Sequence, residues 1–177
     1  MNFDEIIDAR FSVRKYQEKQ VEDEILEQIL AAGMKAPTGK NHQPQRILVI
    51  KGGEAMDTLK SVCRCTFGAP MAMVVCYNVD EAWHSRFEEG YTCGEMDVTI
   101  VATYMMLKAW ELGIGSCWVR YFDAREVARA FQLPDNIRPA CILDLGYAAD
   151  DRVPLETMHN RPRPLGEVVK IYEEGEG

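Results

Sequence analysis

The sequence predicts an α+β sandwich, in which helices cover both faces of a central mixed sheet. Strand-like runs alternate with helical ones through most of the 177 residues, but the helices at the start and the proline-containing tail do not fit a regular βαβ series. A long apolar helix is also predicted near the middle, and such a helix must be surrounded by other elements. A chain of this length is expected to form one domain, residues 1–177.

The central helix is predicted from the stretch between Thr92 and Trp118. Thr92 and Glu95 have the spacing of a capping box, which indicates a helix start. No charged residue occurs from Val98 to Leu107, so we expect this helix to be buried on all sides, at a dimer axis. Charged residues on either side of the run keep it shorter than the roughly 20 apolar residues of a membrane span.

Local signals mark four elements in the first third of the chain. Asn2 and Glu5 have a capping spacing that starts a helix. Residues 10–16 alternate between polar and apolar side chains, as an extended segment does. An acidic first turn at 22–24 favours a second helix, whose apolar residues keep helical spacing to Gly33. In chain order, the predicted elements are helix 3–9, extended segment 10–16, helix 22–33 and strand 46–51.

Apolar runs and helix stops mark the remaining elements. Asp123 is suited to cap a helix that Pro134 ends. The segment from Val79 to Tyr91 has no clear periodicity. In chain order, the predicted elements are helix 54–63, strand 71–77, the central helix, strand 114–119, helix 123–131 and strand 140–147.

Composition argues against several classes of function. With a net charge of −8, the chain lacks the excess of Lys and Arg that nucleic acid or an acidic membrane surface requires. The start has no basic region followed by a long apolar run, so we expect a cytoplasmic protein. The six cysteines include no CxxC, and Cys63-x-Cys65 with His84 is a poor metal spacing. We therefore expect reduced, mostly structural thiols and no metal site.

The first candidate binding cluster consists of Arg10, Ser12 and Arg14. In an extended segment these side chains point to one side, because side chains alternate. Two guanidinium groups and a hydroxyl suit a phosphate or another anion. A solvated edge strand is the alternative interpretation of this cluster.

Two further polar clusters lie in proline-containing segments. Thr38, Asn41 and Gln43 occupy a loop between two prolines, and amide side chains offer the paired donors and acceptors that match the edge of a heterocycle. Taken alone, they are explained as turn residues. Arg161 and Arg163 are two residues apart and flanked by prolines. They are suited to close over a phosphate, or they are surface charges.

Taken together, the motifs are more specific than any one of them. The order RxSxR, APTxxNxQPQ, GIGSCW and RPRP resembles that of the nitroreductase family of FMN-dependent oxidoreductases, over nearly the whole chain. The resemblance implies a nitroreductase-like sandwich that forms a homodimer and exchanges its C-terminal segment. Two positions depart from the family: Arg120 stands where many relatives have a small residue, and Tyr104 where some carry a histidine.

The resemblance also implies which residues bind FMN. The phosphate and ribityl chain would be contacted by three arginines and a serine: Arg10, Ser12, Arg161 and Arg163. Arg14 would lie beside the flavin pyrimidine, where a cation stabilises the reduced, anionic flavin.

The flavin ring would be approached from two other parts of the fold. Asn41, with Thr38 and Gln43, would reach the isoalloxazine edge from the second subunit. Gly115 and Ser116 correspond to the backbone near flavin N5 and O4, where a glycine lets the main chain approach a planar ring.

The implied activity is hydride transfer from NADH or NADPH to flavin N5, and from the flavin to a nitroaromatic, a quinone or a similar small acceptor. No catalytic side chain is assigned, because the flavin carries the chemistry. The alternatives are a flavin-binding sensor or carrier without turnover, another flavin reaction such as reductive dehalogenation, a flavin-free dehydrogenase, and a cysteine-based enzyme. The choice between NADH and NADPH and the identity of the acceptor stay open.

Overall fold

The structure is a computed structural model, which describes residues 1–155 and 162–172. Its helices are α1 (Phe3–Ala9), α2 (Asp23–Gly33), α3 (Gly53–Val62), α4 (Gly94–Glu111), α5 (Ala124–Ala130) and α6 (Leu165–Val168). Its strands are β1 (Gln45–Lys51), β2 (Met71–Asn78), β3 (Gly115–Val119) and β4 (Ile137–Gly146). The helices and strands predicted from the sequence are present, and their ends differ from the prediction by a few residues.

The four strands form one sheet in the order β1-β2-β4-β3. The three pairings between these strands are all antiparallel. A parallel pairing occurs at the isolated bridge between Ser12 and Ser116, where the extended segment 10–16 runs beside β3. The predicted α+β sandwich is therefore confirmed, but its four-stranded sheet is antiparallel and not mixed, since the parallel bridge lies outside the strands.

Helices pack on both faces of the sheet, and each face has its own hydrophobic core. On one face, α2 and α4 pack around side chains such as Met73 and Leu143. On the other face, Leu59 of α3 and Val127 of α5 pack with Val74 of β2. Neighbouring residues of β2 contribute to opposite cores, because side chains alternate along a strand. The predicted arrangement of helices on both faces is confirmed.

The central helix α4 is buried on the side that faces the sheet but not on the other side. Met96, Ile100 and Tyr104 are spaced four residues apart and are 56%, 37% and 42% exposed. The prediction that this helix is buried on all sides is therefore wrong for the single chain. The absence of charged residues from Val98 to Leu107 indicates apolar character, but how many sides of the helix are covered depends on the rest of the fold. Across residues 1–155 and 162–172, no helix is long and apolar enough to span a membrane.

The described part of the C-terminal tail, residues 162–172, exposes most of its apolar side chains. Leu165 is 76% exposed, Ile171 is 76% exposed and Tyr172 is 87% exposed. This segment therefore buries little apolar surface against its own chain. Arg161, one of the predicted phosphate contacts, lies outside the described residues.

Candidate functional site

The polar side of segment 10–16 lies along the outer edge of β3. The Val13 N–H donates a hydrogen bond to the Ser116 carbonyl at 2.9 Å, next to the bridge between Ser12 and Ser116. Val13 is fully buried, whereas Arg10, Ser12 and Arg14 are half-buried. Val13 thus faces the core, while Arg10, Ser12 and Arg14, which alternate with it along the segment, remain partly accessible.

Positive charge is concentrated beside β3. The Arg14 guanidinium lies 5.7 Å from the centroid of the Phe67 ring, and its Nη1 donates to the Ser12 carbonyl at 3.3 Å. Burial raises the pKa of the Cys117 thiol to about 11, while the positive charges of Arg14 and Arg10 act in the opposite direction. Two guanidinium groups thus lie close to this strand in a chain with a net charge of −8, and an anionic ligand would be attracted there.

A cavity of about 340 Å³ lies where β3 leads into α5. Its lining includes two arginines and two aromatic residues, Arg64, Arg120, Tyr121 and Phe122. The Arg120 guanidinium lies 5.2 Å from the centroid of the Phe122 ring. Arg120 was recognisable in the sequence as a departure from the family, whereas Arg64 was not, because it stands between two cysteines in a segment without a recognisable pattern. Cations beside aromatic side chains suit a planar, electron-accepting ring.

Gly115 and Ser116 are buried in β3. A Cβ atom on Gly115 would lie 2.7 Å from Val13 Cγ2 and 3.3 Å from the Gly146 carbonyl oxygen. A glycine at this position therefore lets segment 10–16 approach the strand closely. The Ser116 hydroxyl is buried without a hydrogen-bond partner within the described residues. Gly115 thus allows segment 10–16 to pack against β3, and the Ser116 hydroxyl is a buried polar group in the same part of the strand.

Replacing Gly115 with alanine is expected to reduce the free energy of unfolding by about 1–3 kcal/mol, because the added methyl group overpacks the contact with Val13. Urea denaturation of the apoprotein measures this change. Gly166→Ala is the matched control, since a Cβ atom there meets nothing within 4 Å. Equal stability of the two variants would show that the close approach at Gly115 is unimportant.

The predicted amide loop, residues 38–43, has an unusual backbone. Lys40, Asn41 and Gln43 have φ values of 48°, 59° and 50°, a left-handed region that costs non-glycine residues roughly 1–2 kcal/mol each. The Gln43 N–H donates to the Thr38 Oγ1 at 3.1 Å, and the Asn41 N–H donates to the Thr38 carbonyl at 2.9 Å. Asn41 and Gln43 are exposed, so the loop presents two amide side chains on a constrained backbone.

The amide loop and the arginine segment lie near opposite ends of α4. The Gly39 N–H of the loop donates to Asp97, in the first turns of α4, at 2.8 Å. Ser12 pairs with Ser116, which follows the C-terminal end of α4. The helix has 18 residues, which corresponds to about 27 Å. One chain therefore does not bring these two clusters together.

The remaining candidates add no further contact to the cluster beside β3. The Arg163 side chain is 79% exposed, and its Nη1 lies 3.8 Å from Glu167 Oε2. Within the residues that the structure describes, no group of three or more His, Cys, Asp or Glu side chains is arranged to hold a metal ion. The six cysteines are free thiols.

This chain is similar in sequence to known oxidoreductases. The sequence profile of the Nitroreductase family matches residues 7–67 and 63–147. A curated protein of Archaeoglobus fulgidus, provisionally named NADH dehydrogenase/NAD(P)H nitroreductase, is 30% identical over 156 residues, which are 83% of this chain and 86% of that protein.

Solved structures agree with the sequence matches. The crystal structure of a nitroreductase family protein from Clostridium difficile 630 is 40% identical, with a TM-score of 0.88, and the match covers 96% of this chain and 98% of that chain. An FMN-dependent nitroreductase from Clostridium difficile is 25% identical, with a TM-score of 0.70, and the match covers 85% of this chain and 90% of that chain.

Proposed function

Because this chain belongs to the nitroreductase family of oxidoreductases and has the fold of that family, we propose that it is an FMN-dependent enzyme. It passes hydride from NADH or NADPH to a small acceptor such as a nitroaromatic or a quinone. The observation that carries this proposal is the position of segment 10–16, with Arg10, Ser12 and Arg14, along the edge of β3 at Ser116, whose buried hydroxyl has no hydrogen-bond partner among the described residues.

The residues beside β3 fit the phosphate end of FMN. Arg10 and Ser12 supply a guanidinium group and a hydroxyl, the groups that form charge-assisted hydrogen bonds to phosphate oxygens. The Ser116 hydroxyl, buried without a partner within the described residues, offers a further polar contact. Such a concentration of donors in an acidic chain favours an anionic cofactor over a neutral one.

The ring of FMN would lie along the side of the site that contains Arg14. Its guanidinium, stacked near Phe67, would face the pyrimidine part of the flavin. A cation in this place favours the reduced, negatively charged state of the ring.

A second copy of the chain would complete the site. Because the amide loop lies at the other end of α4, we propose that Thr38, Asn41 and Gln43 of the second copy reach the flavin edge. The exposed apolar side of α4 suits burial between two chains. The tail, whose described residues 162–172 are exposed, would cross to the other copy, so that Arg161 and Arg163 close over the phosphate.

The chemistry then divides between cofactor and protein. FMN, when bound, supplies the transfer of hydride and electrons. The protein binds and orients the cofactor through Arg10 and Ser12, holds a compensating positive charge through Arg14, and keeps segment 10–16 against β3 through Gly115. No side chain is assigned as a nucleophile or a dedicated acid.

The visible absorption spectrum of the purified protein tests the proposal. We expect a flavin spectrum that is lost when NADH or NADPH is added anaerobically and returns when menadione is added. A flavin spectrum that stays oxidised with both nucleotides would favour a flavin-binding sensor or carrier. A colourless protein that takes up no added FMN would contradict the proposal.

A further inference from the structure

We infer that Asp97 is a positioning residue, which holds the amide loop in the conformation that the proposed cofactor site requires. This inference rests on the proposed function, since the loop is taken to contact FMN in the second copy of the chain. Asp97 itself acts through the loop, and nothing in the inference requires it to touch the cofactor.

Asp97 is a buried carboxyl group with one short contact to the loop. It is 4% exposed, and its Oδ1 accepts a hydrogen bond from the Gly39 N–H at 2.8 Å. Its Oδ2 is buried and has no hydrogen-bond partner in the described part of the chain. Burial of a half-satisfied carboxyl group is costly compared with burial of an apolar side chain. Its position near the N-terminus of α4 offsets part of that cost.

The packing around Gly39 shows how close the loop lies to the start of α4. A Cβ atom on Gly39 would lie 3.1 Å from Trp83 Cβ, 3.6 Å from Cys93 Cβ and 3.7 Å from Asp97 Oδ1. The absence of a side chain on Gly39 thus allows the backbone to reach the carboxylate. Asp97 links the loop to α4, and Gly39 itself lies close to Trp83.

The backbone of the loop needs such an anchor. Lys40, Asn41 and Gln43 all have positive φ values, and residues in this region persist only where the surrounding structure holds them. Within the loop, Thr38 Oγ1 accepts from the Gln43 N–H. On its exposed side, the His42 ring Nδ1 lies 2.9 Å from the Glu81 carbonyl oxygen. The bond from Gly39 to Asp97 holds the other side of the loop, against the buried side of α4.

Loss of the Asp97 acceptor would therefore release the exposed amides of Asn41 and Gln43 from their fixed positions. A loop that must be ordered again on binding weakens affinity, because ordering costs conformational entropy. The expected result is weaker binding of FMN without loss of any group that touches it.

The test is the dissociation constant of FMN, measured by quenching of flavin fluorescence on titration of the apoprotein. We expect Asp97→Ala to raise the dissociation constant about tenfold. Asp97→Asn should restore most of the affinity, since its side-chain oxygen still accepts from Gly39. Asp57→Ala is the matched control, because Asp57 is exposed on α3 and pairs with Lys60, and it should leave the constant unchanged.

A double-mutant cycle separates positioning from general stabilisation. In the Asn41→Ala/Gln43→Ala background, Asp97→Ala should change the dissociation constant by less than about twofold, because the groups that Asp97 positions are already absent. An equal loss of affinity in both backgrounds would assign Asp97 a purely structural role and overturn the inference. If Asp97→Ala does not fold, Asp97→Leu retains side-chain volume without an acceptor and takes its place in the cycle.

The two hypotheses fail in different ways. A wild-type protein that binds no FMN overturns the proposed function and this inference with it. A wild-type protein that binds FMN, together with an Asp97→Ala variant of equal affinity, overturns the inference alone.

Discussion

The free energy of unfolding is expected to decrease by about 1.4 kcal/mol for each pH unit across much of the range from about pH 4 to about pH 8. The cause is Asp144, which lies in β4 between Ala72 and Cys117 of the neighbouring strands. Asp144 is 0% exposed, and neither carboxyl oxygen has a hydrogen-bond partner within the described residues. Burial raises the pKa of this carboxyl group from 3.8 to about 8.

The free energy of unfolding decreases with rising pH because the folded and unfolded chains bind different numbers of protons. Between the two pKa values the folded chain keeps the proton of Asp144, whereas the unfolded chain releases it, so rising pH favours the unfolded state. The stability contributed by the protonated form is complete below about pH 4 and is lost as the pH rises towards 8. The pKa of Glu22 is lowered to about 2. Its contribution to stability therefore increases with rising pH, and this change occurs at lower pH than that of Asp144.

Urea denaturation at several pH values measures this dependence. Asp144→Asn replaces the carboxyl group with a neutral group of the same shape, so the decrease between pH 5 and pH 8 should disappear. Asp57→Asn changes an exposed aspartate and should retain the wild-type slope. An Asp144→Asn variant with the wild-type slope would show that another group binds the proton.

Replacement of Arg14 with alanine is expected to make the bound flavin harder to reduce, with a midpoint potential lower by roughly 30–60 mV. A hydrogen bond or ion pair with a charged group contributes roughly 1.5–3 kcal/mol, and for a two-electron couple about 1.4 kcal/mol corresponds to 30 mV. The cation favours the reduced state, because that state carries the additional negative charge. This prediction depends on the proposed position of Arg14 beside the flavin.

Spectroscopic redox titration against a dye of known potential measures this shift in FMN-saturated protein. Arg14→Lys is the matched control, since it keeps the charge and loses the planar group near Phe67. Its potential should stay closer to that of the wild type than to that of the alanine variant. An unchanged potential in Arg14→Ala would remove the assigned role.

Secondary structure was predictable where local contacts determine it. The capping box at the start of α1 forms as expected. The Glu5 N–H donates to Asn2 Oδ1 at 3.0 Å, and the Asn2 N–H donates to Glu5 Oε2 at 2.9 Å. All the groups involved lie within four consecutive residues, so the sequence contains the information that fixes this helix start.

The start of α4 shows where local spacing fails. Thr92 and Glu95 have capping-box spacing, but the helix begins at Gly94, and Thr92 Oγ1 accepts from the Gly94 N–H at 3.2 Å. A Cβ atom on Gly94 would lie 2.2 Å from Tyr77 Cδ2. Close packing against a strand distant in sequence accompanies the shifted start, and no local pattern reveals that packing.

In the candidate site, too, features set by neighbouring residues were predictable and features set by distant residues were not. The alternation of Arg10, Ser12 and Arg14 follows from the geometry of an extended chain, so their shared side was predictable. Arg64 and Asp97 were missed because their roles depend on distant neighbours. Asp97 contacts Gly39, which lies 58 positions earlier in the chain. The left-handed φ values of Lys40, Asn41 and Gln43 were not predicted either, because none of these residues is a glycine.

The length of α4 has a genetic consequence if two chains share each site as proposed. A chain that lacks the arginines still provides a sound amide loop, and a chain that lacks the amides still provides sound arginines. When both defective chains are made in one cell, each mixed pair contains one site built from the two intact halves. Two alleles that are inactive alone would therefore complement each other, and the mixed pair would reach at most half of the normal number of sites.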